Sequence, residues 1–126
     1  MIVGIGFDLV SIARVEGMMV RKEQRALDRL FTAHEQEYAR ARARPAMHLA
    51  ARLAAKEAAF KALTGSDEAK LIGWKEAEVR RGEEGPPVLF FTGRAAARAA
   101  ELAVRTVFLT LSHTDETAGA VVILEA

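Results

Sequence analysis

Arg52-Leu53-Ala54-Ala55-Lys56-Glu57-Ala58-Ala59-Phe60-Lys61 reads as the middle of a helix. It contains neither Gly nor Pro and is dominated by Ala and Leu, the residues that lose least on entering a helix. Ala50, Ala51 and Ala62 extend the small-residue density on both sides. Side chains this small allow a strand or a ligand to approach closely, so this helix is expected at the centre of the fold. Pro45 suits its first turn and Gly65 its end, which bounds it to roughly residues 46–63. One acid, Glu57, stands among bases. Glu57 and Lys61 are one turn apart in the order favoured by an ordinary surface ion pair, worth about 0.3–0.5 kcal/mol. Arg52 and Lys56 are likewise one turn apart and read equally well as a solvated stripe.

Upstream of this helix, residues 2–10 form a β-branched apolar run punctuated by Gly4 and Gly6, the pattern of a strand buried on both faces. Ser11 suits the N-cap of a helix reaching about Arg21, and a second helical stretch covers about 22–31. Thr32-Ala33-His34-Glu35 is a capping box opening a third helix to about Arg42. Downstream, residues 74–81 alternate weakly as a strand. Gly85-Pro86-Pro87 makes a turn, and residues 88–91 form the next strand. Thr92 or Gly93 caps an Ala-rich helix to about Leu102. Residues 106–112 alternate, with Val107, Leu109 and Leu111 on one face. A polar turn from His113 to Thr117 leads into a last strand over 118–124. This order predicts an α+β fold in a single domain spanning 1–126.

The 126 residues are 51% hydrophobic and 28% charged, enough for one real core. With no cysteine, disulfides, thiolate metal sites and cysteine nucleophiles are excluded. His34, His48 and His113 have no zinc-site spacing. The opening residues lack a secretory pattern and no apolar run is long enough to span a bilayer, so a cytoplasmic protein away from membranes is expected.

Asp8 is a lone acid in an apolar strand, so it must be hydrogen-bonded, paired or bound to a metal. Backbone amides at the start of the next helix would satisfy it equally well. Together with Glu57 and the nearby bases, it suits a magnesium-dependent reaction on a phosphorylated substrate. His113 is either a satisfied loop histidine or a donor to phosphate, as are Ser112 and Thr114. Arg14, Met18, Arg21 and Arg25 recur at helical spacing and suit an acidic amphipathic helix of a partner, or else a solvated face. Arg40, Arg42 and Arg44 form a basic run before Pro45. There is no P-loop, no complete dinucleotide fingerprint and no serine nucleophile elbow.

Taken in order, these residues resemble a known family. Gly6-Phe7-Asp8 through Arg14 is similar to the Gly-x-Asp…Arg motif of the bacterial holo-acyl-carrier-protein synthases, which are 4′-phosphopantetheinyl transferases. Arg52 through Lys61 resembles their Lys-Glu-Ala…Lys motif. Leu111-Ser112-His113-Thr114 resembles their strand-end Ser/Thr-His-Ser/Thr, and Gly85-Pro86-Pro87 their Gly-x-Pro hairpin. The resemblance implies the small phosphopantetheinyl-transferase fold, an antiparallel sheet packed on one long central helix with N-terminal helices, assembled as a homotrimer with each active site at a subunit boundary. It implies Asp8 and Glu57 as the ligands of Mg²⁺, Lys61 on the pyrophosphate of coenzyme A, and His113 and Thr114 at the nucleotide end. Arg44 would meet the ribose phosphate and Gly65 would lie in the coenzyme loop. Arg14, Met18, Arg21 and Arg25 would dock acyl carrier protein. Two departures stand out: Leu53 where the family often has an aromatic residue, and Leu63-Thr64-Gly65-Ser66, shorter by one Gly than the usual Gly-Thr-Gly.

The implied reaction is attack by a carrier-protein serine on the β-phosphorus of coenzyme A. It yields holo carrier protein and adenosine 3′,5′-bisphosphate and serves fatty acid biosynthesis. The serine proton goes to Glu57 or to a water that Glu57 polarises, and sequence leaves both open. A nucleic-acid-binding module would explain the Arg-rich first half, but a net charge of +1, 6% aromatics and the lack of a binding motif argue against it. A metal-dependent phosphohydrolase shares the carboxylates yet lacks enough of them for two metals.

Overall fold

The computed structural model describes residues 1–82 and 84–126. Strand β1 (Ile2–Ser11) leads into helices α1 (Ile12–Val20), α2 (Gln24–Leu30) and α3 (Ala33–Arg40), then the 19-residue α4 (Pro45–Leu63). Two 3₁₀ turns (Glu68–Leu71 and Trp74–Glu76) precede the hairpin β2 (Ala77–Arg80) and β3 (Val88–Phe91). Helix α5 (Gly93–Glu101) and strands β4 (Thr106–His113) and β5 (Thr117–Glu125) complete the chain. The main sheet is antiparallel in the order β1-β5-β4, with β2 and β3 forming a separate pair. The fold is α+β, as expected.

Helix α4 is buried around most of its circumference, from Ala46 to Leu63. It packs on the β1–β5 face on one side and on α3 and β2 on the other. The alanines on the helix and the glycines on the strand act together. A Cβ built on Gly6 would stand 1.7 Å from the Ala58 carbonyl oxygen, and one on Gly4 2.2 Å from that of Ala62. Only a strand without side chains at these positions can lie this close to the helix backbone.

β1 departs from expectation: only one of its faces is buried. Gly6 and Val10 point inward, while Ile5, Phe7 and Leu9 are each more than half exposed, joined by Phe108 on β4. The period-2 geometry puts these apolar side chains on a single open face of the sheet.

Local signals set most boundaries. At α3 the capping box forms as written, Thr32 Oγ1 accepting from Glu35 N–H at 3.2 Å and Glu35 Oε1 from Thr32 N–H at 2.9 Å. Ser11 sits at the N-cap of α1 but its side chain makes no cap bond; Ile12 N–H donates instead to the Glu116 carbonyl. Helix α2 starts at Gln24 rather than Lys22, because Lys22 turns through φ +55°. The strand expected over 74–81 divides into the 3₁₀ turn and a shorter β2, because Glu76 is occupied elsewhere. Its Oε2 accepts the N–H groups of Arg94 and Ala95 at 2.6 and 3.1 Å, capping α5 in place of Thr92. Among the described residues no helix is long and apolar enough to cross a membrane.

Candidate active site

β1 presents Asp8 on the face that packs against α4, and α4 presents Glu57 and Lys61. Lys61 Nζ donates to Asp8 Oδ1 at 2.8 Å and to the Phe7 carbonyl at 3.0 Å. The ion pair that sequence spacing allowed between Lys61 and Glu57 is therefore replaced by a longer-range one. Glu57 faces Asp8 directly. Burial, then the hydrogen bond and charge of Asp8, push the Glu57 carboxyl up to about 7, with Arg14 and Lys61 opposing. Burial also pushes Asp8 upward, but hydrogen bonds from Glu57 and Lys61 outweigh it and hold Asp8 below the ordinary carboxylate value. Two carboxylates moved in opposite directions behave as a pair sharing one proton.

Asp8 Oδ2 is buried and has no hydrogen-bond partner among the described residues. An orphaned carboxylate oxygen facing a second carboxylate is a hard-oxygen donor set that suits a divalent cation in place of the shared proton. Among the described residues no third acid or imidazole joins them, so protein ligation by Asp8 and Glu57 alone leaves room for substrate oxygens and water.

The residues predicted for the nucleotide end lie away from this pair, near the N-terminus of α4. Arg44, the N-cap of α4, is about 20 Å from Glu57 along the helix axis at 1.5 Å per residue. Its guanidinium reaches the Asp115 carbonyl at 3.2 Å and the Asp115 carboxylate at 3.8 Å. His113 ends β4 and borders a cleft of about 150 Å³ with Met47, His48, Arg52 and Arg81. Thr114 Oγ1 is spent on the turn, accepting from Glu116 and Thr117 N–H. A single chain thus brings Asp8, Glu57 and Lys61 together and gathers Arg44, His113 and Thr114 toward the opposite end of α4.

Sequence reading missed the strength of this basic end. Arg52 is only 2% exposed, so its half of the supposed solvated stripe is buried. Its guanidinium lies 4.2 Å from the Tyr38 ring centroid, and Arg42 lies 4.1 Å from the same ring. Arg52 Nη1 donates to the His48 carbonyl at 3.2 Å, while its Nε has no partner among the described residues. Burial, then Arg52, Arg42 and His113, hold His48 below the usual imidazole value. Among the described residues the cleft is walled by Arg52, Arg81 and two histidines with no carboxylate in its lining, a setting that attracts an anion. The available signal was an arginine inside an alanine-dense buried helix.

Arg14 and Met18 sit on α1, but Arg25 sits on α2 beyond the Lys22 turn, so the four residues do not share one helix face. Arg21 is exposed and bonds Glu23 at 3.2 Å. Arg25 lines a groove of about 670 Å³ with Ala26, Arg29, Leu30 and Trp74. Gly65 adopts φ +113° just past α4, where Arg98 accepts the task of capping by donating to the Leu63 and Thr64 carbonyls at 2.8 and 3.1 Å.

The sequence model of the 4′-phosphopantetheinyl transferase superfamily matches residues 4–122. The chain belongs to this superfamily. It is an enzyme of that family, and its relatives there are holo-[acyl-carrier-protein] synthases. The one from Thermus thermophilus is 50% identical over 127 residues, covering 100% of this chain and 95% of the relative. Among solved structures, a holo-(acyl-carrier-protein) synthase from Bacillus anthracis in complex with CoA (3′,5′-ADP) is 33% identical, with a TM-score of 0.77 over 100% of this chain and 98% of the other. The synthase from Neisseria meningitidis is 27% identical, with a TM-score of 0.84 over the full length of both chains.

Proposed function

We propose that this enzyme transfers the 4′-phosphopantetheine group of coenzyme A to a serine of apo acyl carrier protein, in support of fatty acid biosynthesis in the cytoplasm. Residues 1–126 act as one transferase domain. The observation that carries the reading is the carboxylate pair Asp8–Glu57, with its unpartnered oxygen, beside Lys61 in a chain of this family.

Asp8 and Glu57 would hold Mg²⁺, which when bound supplies charge neutralisation for the pyrophosphate. Lys61, tethered to Asp8 in the free chain, has its ammonium beside the same carboxylates and would meet the departing phosphate. In the transfer, the serine oxygen forms a bond to the β-phosphorus and the bridging bond to adenosine 3′,5′-bisphosphate breaks. The serine proton needs an acceptor, which would be a water polarised by Glu57 or the Glu57 carboxylate itself. Catalysis is otherwise positioning and electrostatics.

The nucleotide end of the coenzyme would lie in the cationic cleft, with His113, Thr114 and Arg44 reading its phosphates. The separation of this end from the acid pair supports a coenzyme that bridges two copies of the chain. The open apolar face of Ile5, Phe7, Leu9 and Phe108 supports the same assembly, a homotrimer. Acyl carrier protein would approach across Arg14, Met18, Arg21 and Arg25.

The test is a mass measurement. Apo carrier protein incubated with coenzyme A, Mg²⁺ and the enzyme gains the mass of one phosphopantetheine group; an unchanged mass refutes the proposal.

A further inference from the structure

Among the described residues is one fully buried ion pair that the proposed chemistry does not use. Lys56 Nζ lies 2.9 Å from Glu35 Oε1, with both side chains completely excluded from solvent. All three ammonium hydrogens have acceptors: the Glu35 carboxylate, the Trp74 carbonyl at 2.9 Å and the Ala77 carbonyl at 2.7 Å. Glu35 is equally committed. Beyond Lys56 it accepts Thr32 N–H at 2.9 Å and Val79 N–H at 2.9 Å. One carboxylate therefore caps α3, anchors β2 and receives α4, while one ammonium ties α4 to the 3₁₀ turn at Trp74 and to the start of β2.

Such a pair is a poor source of stability. Removing two charges from water costs about as much as their mutual attraction returns, and apolar replacement is commonly neutral or stabilising. What it provides is geometry, because each acceptor occupies a fixed position on a different element. The position of Lys56 gives that geometry a consequence. The next residue, about 100° around the helix, is Glu57, which faces Asp8. One turn on, the Phe60 ring meets the Trp74 ring edge-on, with centroids 5.1 Å apart. A single stretch of α4 thus carries the carboxylate of the acid pair and grips, at both carbonyl and ring, the tryptophan lining the α2 groove.

We infer that Lys56 and Glu35 are positioning residues: their buried pair fixes α4 along its own axis and against rotation, and so sets the Glu57 carboxylate opposite Asp8. The inference rests on the reading of Asp8 and Glu57 as the metal pair. Without the lock, the β1 glycines still hold the α4 alanines close, but the far side of α4 loses its fixed points on α3 and β2, and the Glu57 carboxylate no longer meets Asp8 at one fixed distance. A shift of about 1 Å at such a site lowers turnover by as much as 10²-fold, and loss of a supporting contact weakens metal binding about 10- to 100-fold.

The experiment compares the wild-type chain with E35Q/K56M and E35D. The double variant removes both charges together, so neither is left buried and unpaired; its carboxamide oxygen keeps the acceptor for one of the Thr32 and Val79 N–H groups. E35D keeps both charges and shortens the reach by one methylene. Mn²⁺ binding is titrated by electron paramagnetic resonance with coenzyme A present, and kcat and KM are measured for transfer. The expected result is Mn²⁺ affinity lowered about tenfold in the double variant and at least threefold in E35D, with kcat falling in step and the KM for coenzyme A moving less than twofold. E35Q/K56M melts lower, because the Trp74 and Ala77 carbonyls lose their donor, so affinity and turnover are compared well below its melting temperature. Wild-type Mn²⁺ affinity and kcat in a folded E35Q/K56M overturns the positioning role. If that variant does not fold, unchanged Mn²⁺ affinity in E35D overturns it instead. Failure of the wild-type chain itself to bind Mn²⁺ overturns the metal reading, and the inference with it.

Discussion

Gly6→Ala tests the link between fold and site in one substitution. The added Cβ would stand 1.7 Å from the Ala58 carbonyl oxygen and 2.6 Å from its carbonyl carbon, whereas contacts under 3.0 Å are essentially never seen. The obstruction is backbone, so no side-chain truncation on α4 relieves it. Strand and helix must part by more than 1 Å at a position two residues from Asp8 and one from Glu57. Forcing a close-packed interface apart costs about 3 kcal/mol, at the upper end of ordinary overpacking. For a chain of this size that lowers Tm by roughly 12 °C, at about 4 °C per kcal/mol. The same displacement separates the two carboxylates, so activity falls further than stability alone accounts for when measured well below the melting point. Thermal unfolding by circular dichroism and the transfer assay at 20 °C below Tm read the two effects. Gly73→Ala is the control, because its Cβ would meet nothing closer than 3.5 Å and its change should stay within about 0.5 kcal/mol. If G6A melts within 2 °C of G73A and retains full activity, the close approach of β1 to α4 is not what holds the acid pair.

The raised Glu57 acidity makes a prediction of definite sign. Because its folded value, about 7, lies above its unfolded value of 4.5, ionising it opposes folding: its favourable contribution is complete below 4.5 and lost as pH rises to 7. In the absence of divalent ions E57Q should therefore match wild type at pH 4 and exceed it at pH 8 by about 1 kcal/mol, the value left after solvent screening of a partly exposed group; urea titrations at the two pH values decide, and equal stability at pH 8 contradicts the assignment. Arg14→Glu and Arg21→Glu should raise the KM for carrier protein about tenfold or more while leaving that for coenzyme A within twofold, and the wild-type KM for carrier protein should rise with salt. Equal effects on both substrates would place these arginines outside the docking face. Thr32→Ala removes the hydroxyl that caps α3 and should cost about 1 kcal/mol in denaturant unfolding; no loss would mean that Glu35 alone holds that helix end.

The elements written in local chemistry were legible in the sequence. Pro45, the alanine density and Gly65 delimit α4 to within a residue, and the Thr32–Glu35 box opens α3 as expected. Hydrophobic alternation marked β4, and the apolar run over 118–124 marked β5. What stayed hidden depended on partners far along the chain. Helical spacing offered Glu57 to Lys61, but Asp8, 53 residues away, takes the ammonium. Charge suggested that Arg52 and Lys56 are solvated, yet Lys56 is buried because Glu35, Trp74 and Ala77 together supply every acceptor it requires. The apolar run of β1 suggested burial on both faces, whereas in one chain the Phe7 face is open. Periodicity reports which residues share a face, and says nothing of what that face meets. The convergence of Asp8 and Glu57 was read from the order of motifs, and the structure gives it a physical form: Glu57 raised by burial and by the facing Asp8, and an Asp8 oxygen with no partner among the described residues.

A crystal structure of the chain with coenzyme A and Mg²⁺ tests this account at its centre. One ion touched by both the Asp8 and Glu57 carboxylates and by pyrophosphate oxygens is the predicted result. A bound coenzyme whose pyrophosphate lies away from these side chains, or an ion held by neither of them, would contradict it.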